Sequence, residues 1–197
     1  APYIERMLQR RHFLAAPLAL PALSLLSRGA QAATADLLRE GGLVLALRHA
    51  LAPGTFDPPE FKLGVCSTQR NLNDAGRDQA RQIGAWFQAQ RLKPARVRSS
   101  PWCRCVDTAQ LAFGTHEAWS ALGSPRGATE STNAASLEAL RVAIRGASTQ
   151  RGRFEVWVTH MFVLQDLVGQ GTSVGEGLLL RAGSDGAPQV LGRWTLG

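Results

Sequence analysis

The sequence has no internal repeats, no low-complexity stretch and no apolar run long enough to cross a membrane. A spanning helix needs roughly 20 apolar residues in succession, and the best candidate, residues 15–26, is shorter than that. Repeat architectures and disordered chains are therefore not expected. The 197 residues, 45% of them hydrophobic, are predicted to form one globular domain of ordinary size with a sizeable core.

Two further absences reduce the number of functions that the sequence allows. The chain has a net charge of +7, but its Lys and Arg residues are scattered and do not alternate with aromatic residues in a basic stripe, so no nucleic-acid partner is expected. No carboxylate cluster of metal-ligand type accompanies the histidines, so neither a metal nor another cofactor is predicted. A modestly basic exported protein suits small anionic molecules or lipid headgroups as partners.

The amino terminus has the composition of an export signal. Arg10 and Arg11 precede the apolar stretch 15–26, and Ala30-Gln31-Ala32 has the form of a cleavage site. The paired arginines resemble the twin-arginine signal of bacteria. We predict a signal peptide at residues 1–32, cleaved after Ala32, and a domain at 33–197 that is periplasmic or otherwise exported, with no membrane span after cleavage. An uncleaved membrane anchor is the alternative.

The most informative stretch is an aliphatic run that ends on Arg48 and His49. Residues 43–47 suit a strand buried on both faces of a parallel sheet, and chemistry in such sheets collects at the carboxyl ends of the strands. A neutral imidazole there can attack an electrophile, and a guanidinium can bind an oxyanion through paired N–H groups. Neighbouring strand residues face opposite ways, so the chain must turn at His49.

The remaining chain alternates between strands and helices. A Pro- and Gly-rich loop at residues 52–60 leaves the first strand, and apolar spacing predicts a helix at 73–90 with Asn73 as cap. Further strands are predicted at 95–99, 154–159, 177–182 and 189–195, with helices at 136–145 and 161–168. This order predicts an α/β fold: a three-layer α/β/α sandwich around a mostly parallel sheet.

Two other strands also lead into reactive side chains. Ser100 and Pro101 follow the strand at 95–99 and suit the start of a helix, whose N–H groups would attract an anion; Arg104 lies one turn further on. The strand at 154–159 ends on His160. Two imidazoles and two guanidiniums are thus predicted at strand ends.

These stretches resemble the histidine phosphatase superfamily, which includes the cofactor-dependent phosphoglycerate mutases. Four of its motifs occur here in the family's order over residues 43–182: Arg48-His49-Ala50; Leu72, Gly76, Gln79 and Ala80; Ser99 to Ala109; and Val158-Thr159-His160. The resemblance implies a phosphoglycerate mutase-like fold. It also implies that His49 is a nucleophile forming a phosphohistidine, and that Arg48, Arg104 and His160 hold the phosphoryl oxygens. Arg70 and Ser100 are predicted as further substrate contacts.

The sequence departs from the family pattern at two points. Ala50 replaces the usual glycine of the first motif. The general acid is also uncertain, because the region after the Arg104 helix offers only Glu117, while Asp57 and Glu60 in the long loop compete for the role. We favour a loop acid, since that loop can fold over a bound phosphate.

The resemblance favours a metal-independent phosphomonoesterase acting on a small phosphorylated substrate. It extends to an envelope branch acting on lipopolysaccharide-core sugar phosphates, which agrees with an export signal. A mutase-type phosphotransferase and a phosphate-binding protein without turnover are the alternatives. Specificity is assigned to loops 51–70 and 112–135. Since an oxidising compartment favours disulfides, Cys66 is predicted to pair with Cys103 or Cys105.

Overall fold

The computed structural model describes residues 22–126 and 128–196. The strands are β1 (Leu43–Arg48), β2 (Arg96–Ser99), β3 (Glu117–Ala118), β4 (Phe154–Thr159), β5 (Gly177–Ala182) and β6 (Pro188–Trp194). The helices are α1 (Ala22–Glu40), α2 (Asp74–Ala89), α3 (Cys103–Phe113), α4 (Glu130–Ser148) and α5 (Met161–Val168).

The six strands form one mixed sheet in the order β3-β2-β4-β1-β5-β6. Strands β3, β2, β4 and β1 run parallel, whereas β5 pairs antiparallel with β1 and β6 antiparallel with β5. The predicted mostly parallel sheet is thus confirmed. The parallel half carries every strand that was predicted to end on a reactive group.

Helices cover both faces of this sheet. Leu43, Leu45 and Leu47 of β1 pack in a cluster with residues of α1, α2 and α3. Val44 and Ala46 alternate with them and pack on the other face against α4 and α5. All five side chains are fully buried, as an aliphatic run covered on both sides requires. The predicted three-layer α/β/α architecture is confirmed.

Two helices differ from their predicted bounds. Helix α3 begins at Cys103 rather than directly after Ser100, and Trp102 occupies the N-cap position without a side-chain cap. Ser100 lies two residues before that position; its hydroxyl accepts from the backbone N–H of Trp102 at 3.3 Å and is also bonded to His160. Helix α4 begins six residues before the predicted 136, where Thr129 accepts a hydrogen bond from the backbone N–H of Thr132. Its first turns carry few apolar residues, so periodicity did not reveal them.

Helix α1 runs through the predicted cleavage position. Ala32 is exposed, and burial in the core begins after it with Ala35 and Leu38. Arg10, Arg11 and most of the apolar stretch lie outside the described residues, and the signal peptide stays a prediction. Within the described ranges, none of the helices combines the length and the hydrophobicity that a membrane crossing needs.

Candidate active site

The predicted reactive side chains meet at the carboxyl edge of the parallel strands. The strand register sets Arg48 of β1 beside Thr159 of β4. The backbone N–H of His49 then donates to the Thr159 carbonyl at 3.0 Å, and the N–H of Ser100 donates to the Val158 carbonyl at 2.8 Å. The residues that follow β1, β2 and β4 are thereby held next to one another.

A cavity of about 350 Å³ opens at this edge. It is lined by Arg48, His49, Arg70, Arg104 and His160 from the predicted site, and by Phe56, Asp57, Phe61, Trp102, Arg126 and Phe162 among others. Within the described part of the chain, Asp57 is the one acidic residue in this lining. No group of three or more His, Cys, Asp or Glu side chains in that part is placed to hold a metal ion.

His49 is held as a neutral imidazole with one free nitrogen. Its side chain is buried, and Nδ1 lies 2.8 Å from the Ala50 carbonyl oxygen. A carbonyl can only accept, so Nδ1 carries the proton and Nε2 keeps its lone pair. Burial, with the neighbouring arginine charges, lowers the pKa of His49 to about 3. Near neutral pH, Nε2 is therefore available as a nucleophile.

The turn after His49 is fixed by residues of the second and third motifs. The Ala50 N–H donates to Thr108 Oγ1 at 3.0 Å, and the Leu51 N–H donates to Gln79 Oε1 at 2.9 Å. A Cβ on Gly76 would lie 1.9 Å from the Leu51 carbonyl oxygen, so only glycine permits this close approach. Ala50 is fully buried and does not adopt a positive φ, which explains why alanine is tolerated there.

Three guanidinium groups, the arginine cluster of Arg48, Arg70 and Arg104, surround this imidazole. The Nε atom of each is buried and has no hydrogen-bond partner among the described residues. Burial, reinforced by the charge of Arg104, lowers the pKa of Arg48 and of Arg70. Unpaired donors and crowded positive charge mean that the cavity would gain stability by taking up an anion.

His160 and Ser100 position Arg104. The Nδ1 atom of His160 lies 3.4 Å from Arg104 Nη2, and Nε2 lies 2.8 Å from the Ser100 hydroxyl. A guanidinium can only donate, so His160 accepts at Nδ1 and donates from Nε2. Burial, with the Arg104 charge, holds the pKa of His160 well below its usual value. Ser100, predicted as a substrate contact, is fully buried, does not line the cavity and instead orients His160.

Asp57 lines the cavity as an ionised partner of Arg104. Its Oδ1 atom accepts from Arg104 Nη1 at 2.7 Å and from the backbone N–H of Arg70 at 3.0 Å. Burial alone would raise the pKa of Asp57, but the hydrogen bonds from Arg104, Arg70 and Trp102 and the Arg104 charge outweigh it and lower the pKa. The carboxylate therefore binds at Arg104, as a phosphoryl oxygen would.

The other two acids proposed from the sequence lie elsewhere. Glu60 is exposed and does not line the cavity. Glu117 is exposed on β3, the edge strand, where its Oε1 atom lies 3.1 Å from Arg96 Nε. Neither side chain reaches the site in this structure. The prediction of Glu60 and Glu117 as candidate general acids is therefore corrected. Asp57 is the candidate that the loop brings to the cavity.

The cysteines connect the loop after β1 to α3. Cys66 and Cys103 form a disulfide across a sequence separation of 37 residues. Cys105 is free and buried, and burial raises the pKa of its thiol to about 12, so it is an inert core residue. Of the two predicted pairings, the structure selects Cys66 with Cys103. The bridge lies next to Arg104 in sequence and ties the Asp57 loop to α3.

We expect this bridge to contribute substantially to stability. Closing a loop of this length typically contributes about 2–4 kcal/mol, so the double variant Cys66→Ser/Cys103→Ser should lose roughly that much free energy of unfolding. Denaturant titrations of wild type and variant, each with and without reductant, measure the effect. Reductant should destabilise the wild type only. Mass spectrometry of the unreduced protein should find the Cys66–Cys103 peptide, and three free thiols would contradict the pairing.

Sequence reasoning did not identify several residues of the cavity wall. Trp102 and Phe61 stack with their ring centroids 5.4 Å apart, and Phe56, Phe162 and Arg126 form another part of the lining. These side chains come from loops and from the start of α5, where no periodicity or motif indicates which way a residue faces. Three of them, Phe56, Phe61 and Arg126, do lie in the loops to which specificity was assigned.

The comparisons with known proteins agree with this geometry. Residues 62–125 match the family model of the histidine phosphatase superfamily, branch 1. This segment contains Arg70, the α2 motif and Arg104, so over these residues the chain is similar to that superfamily. No curated protein matches the chain.

Solved structures share the fold at low sequence identity. The protein histidine phosphatase SixA, complexed with tungstate, is 18% identical with a TM-score of 0.52; the match covers 78% of this chain and 96% of that chain. Phosphoserine phosphatase from Entamoeba histolytica, in complex with 3-phosphoglyceric acid, is 12% identical with a TM-score of 0.54, covering 78% and 97%. A mycobacterial glucosyl-3-phosphoglycerate phosphatase is 14% identical with a TM-score of 0.52, covering 76% and 96%. The predicted phosphoglycerate mutase-like fold is confirmed.

Proposed function

We propose that this chain is a metal-independent phosphomonoesterase of the histidine phosphatase type, acting in the bacterial cell envelope through a phosphohistidine on His49. The observation that carries the proposal is the neutral His49 imidazole beside three buried guanidiniums whose Nε atoms are unpaired. A nucleophile surrounded by anion-binding donors is the arrangement that phosphoryl transfer requires. The similar structures named above, all of phosphatases, support the same reaction class.

In the first step, His49 Nε2 attacks phosphorus and the bond from phosphorus to the leaving oxygen breaks. The imidazole becomes positively charged as the N–P bond forms, and the Ala50 carbonyl, which accepts from Nδ1–H, stabilises that charge. The equatorial phosphoryl oxygens meet the free donors of the arginine cluster. All three guanidiniums already line the cavity, so the positive charge that stabilises the oxygens is in place before negative charge spreads over them.

Asp57 supplies the proton for the leaving oxygen. A phosphate dianion that binds Arg104 displaces the Asp57 carboxylate from its hydrogen bond with that guanidinium. Asp57 then loses its strongest stabilising partner and gains a negative neighbour, and both changes raise its pKa. The carboxylate takes up a proton from solvent and donates it to the leaving oxygen as the alcohol departs. Substrate binding thereby converts a buried ion pair into a general acid.

In the second step, water attacks the phosphohistidine. Asp57, now ionised, accepts a proton from the water as the new P–O bond forms and the N–P bond breaks. Inorganic phosphate leaves, His49 returns to its neutral form, and Asp57 releases its proton to solvent as it binds Arg104 again. His160 acts in both steps by holding Arg104 in position.

Export, and a sugar phosphate of the envelope as substrate, complete the proposal. The disulfide between Cys66 and Cys103 supports an oxidising compartment, since such bonds persist outside the reducing cytosol. The twin-arginine motif at Arg10 and Arg11 supports the same location. The domain from residue 33 onward would then act without its signal peptide.

Hydrolysis of p-nitrophenyl phosphate in the presence of EDTA tests the reaction. We expect turnover that persists in the chelator, because the proposed steps use only side chains of this chain. Phosphate binding without hydrolysis would instead support the binding-protein alternative. Transfer of the phosphoryl group between hydroxyls of a phosphoglycerate, with little release of phosphate, would support the mutase alternative.

A further inference from the structure

The rim of the cavity contains a cation that phosphoryl transfer does not use. We infer that Arg126 is a second anion-binding group, and that the substrates are phosphomonoesters carrying another acidic group, such as a carboxylate, away from the phosphate. This inference rests on the proposed function and assigns its substrate class. The inference depends on Arg126 and the side chains around it, all of which lie outside the four motifs.

Two aromatic rings hold the Arg126 guanidinium. Its central carbon lies 4.4 Å from the ring centroid of Phe56 and 4.2 Å from that of Phe162. Guanidinium groups stack favourably over aromatic rings, and two such contacts restrict the side chain more than one does. Both contacts hold the guanidinium carbon close to a ring and use none of its N–H groups as hydrogen-bond donors. The group is therefore ordered in advance for an anionic ligand.

Arg126 has no acidic partner among the residues that the structure describes. An exposed arginine commonly forms an ion pair with a nearby carboxylate, as Arg81 Nη1 does with Asp78 Oδ1 at 2.7 Å. In residues 22–126 and 128–196, no carboxylate lies within ion-pair distance of Arg126, and no hydrogen bond uses its N–H groups. An ordered guanidinium whose edge is unpaired, in a cavity wall, is suited to bidentate binding of a carboxylate or phosphate.

The rings of Phe56 and Phe162 also connect Arg126 to the proposed phosphate site at Arg104. Phe56 directly precedes Asp57, which contacts Arg104, and Phe162 lies two residues after His160, which also contacts Arg104. Arg104 is only 4% exposed, whereas Arg126 is exposed. The cavity thus has a buried site for one anion and an outer site for another, with aromatic side chains along its walls.

A packing role for Arg126 makes a different prediction from a binding role. If the side chain only holds Phe56 against Phe162, its loss would weaken all ligands to a similar degree. If it binds an anion, its loss would weaken only ligands that carry the second charge. Comparing charged and neutral ligands of equal size separates these two roles.

The test uses arylphosphonates, which cannot be hydrolysed and so report binding whether or not the chain turns over. Phenylphosphonates bearing a ring carboxylate, or a carboxylate on an arm of one or two methylenes, are compared with their carboxamides by titration calorimetry. We expect at least one carboxylate to bind wild type about 10-fold tighter than its carboxamide. Arg126→Gln should reduce that ratio to near 1, and Arg126→Lys should keep part of it. Arg81→Gln, on an exposed face of α2, is the matched control and should leave the ratio unchanged.

The outcomes are distinct from those that concern the reaction. Equal binding of every carboxylate and its carboxamide to wild type would overturn the inference, as would a preference that Arg126→Gln retains. Neither result would bear on the reaction itself, because hydrolysis of p-nitrophenyl phosphate would still be evidence for a phosphatase. Absence of hydrolysis together with an Arg126-dependent carboxylate preference would overturn the proposed reaction and support the outer anion site.

Discussion

Replacement of His49 should abolish turnover while leaving the fold intact. Loss of a nucleophile removes the covalent path, and in comparable enzymes this costs roughly 10⁴-fold or more in rate. His49→Asn is the sharper variant because an amide nitrogen can still donate to the Ala50 carbonyl while no lone pair replaces Nε2. We expect kcat/KM for p-nitrophenyl phosphate to fall to the background rate in both His49→Asn and His49→Ala.

A second measurement identifies the intermediate. Wild type quenched during turnover of a radiolabelled aryl phosphate should carry label in a bond that is stable to alkali and labile to acid, and the His49 variants should carry none. His116→Ala is the control, because His116 lies outside the cavity lining and should leave both labelling and turnover at wild-type levels. Turnover by His49→Asn within about tenfold of wild type, with a normal unfolding transition, would refute the assignment.

The sequence predicted well those helices and strands in which the local pattern of apolar residues matches the burial seen in the structure. Strand β5 and helix α5 have the predicted bounds, and α2 begins after the predicted Asn73 cap. The aliphatic run of β1 is buried on both faces, so its composition alone indicated its position in the sheet. Residues that end such strands meet because the register of parallel strands aligns their carboxyl ends.

The parts that the sequence predicted poorly depend on which partner a polar group finds. Ser100 had the pattern of an N-cap, yet its hydroxyl bonds to His160, a residue 60 positions away. Among the three candidate acids, position in the long loop favoured Asp57 and Glu60 over Glu117, but nothing local separates Asp57 from Glu60. The choice follows from a loop that brings Asp57 within 2.7 Å of Arg104, and a single sequence does not encode that distance in any readable pattern.

The motif residues have a structural role that the resemblance did not include. Gln79 accepts from the Leu51 N–H and donates to the Val174 carbonyl, so α2 holds the turn after the nucleophile and the segment before β5. Thr108 accepts from the Ala50 N–H and donates to the Arg104 carbonyl. Gln79 and Thr108 therefore orient the nucleophile through the backbone that follows it. This explains why these two residues accompany the reactive ones although neither lines the cavity.

Replacement of Asp57 by Asn should make the rate depend steeply on the leaving group. A phenolate of low pKa leaves without help, whereas an alkoxide needs a proton, and a positioned acid is typically worth about 10²–10⁴ in rate. In wild type we expect kcat/KM to change little across a series from p-nitrophenyl to alkyl phosphates. In Asp57→Asn the loss should be smallest for p-nitrophenyl phosphate and should reach about 10²–10⁴ for alkyl phosphates.

The slope of the rate against the pKa of the leaving group separates proton donation by Asp57 from its structural role in holding the loop. Asp57 also anchors the loop to Arg104 and to the Arg70 backbone, and losing that anchor would slow all substrates by a similar factor, whatever the leaving group. Glu60→Gln and Glu117→Gln are matched controls, since they remove the same charge at exposed positions outside the cavity, and their slopes should equal that of wild type. A uniform loss in Asp57→Asn would assign Asp57 to anchoring alone. A shallow slope in all three variants would mean that another group donates the proton, because the alkoxide must still be protonated as it leaves.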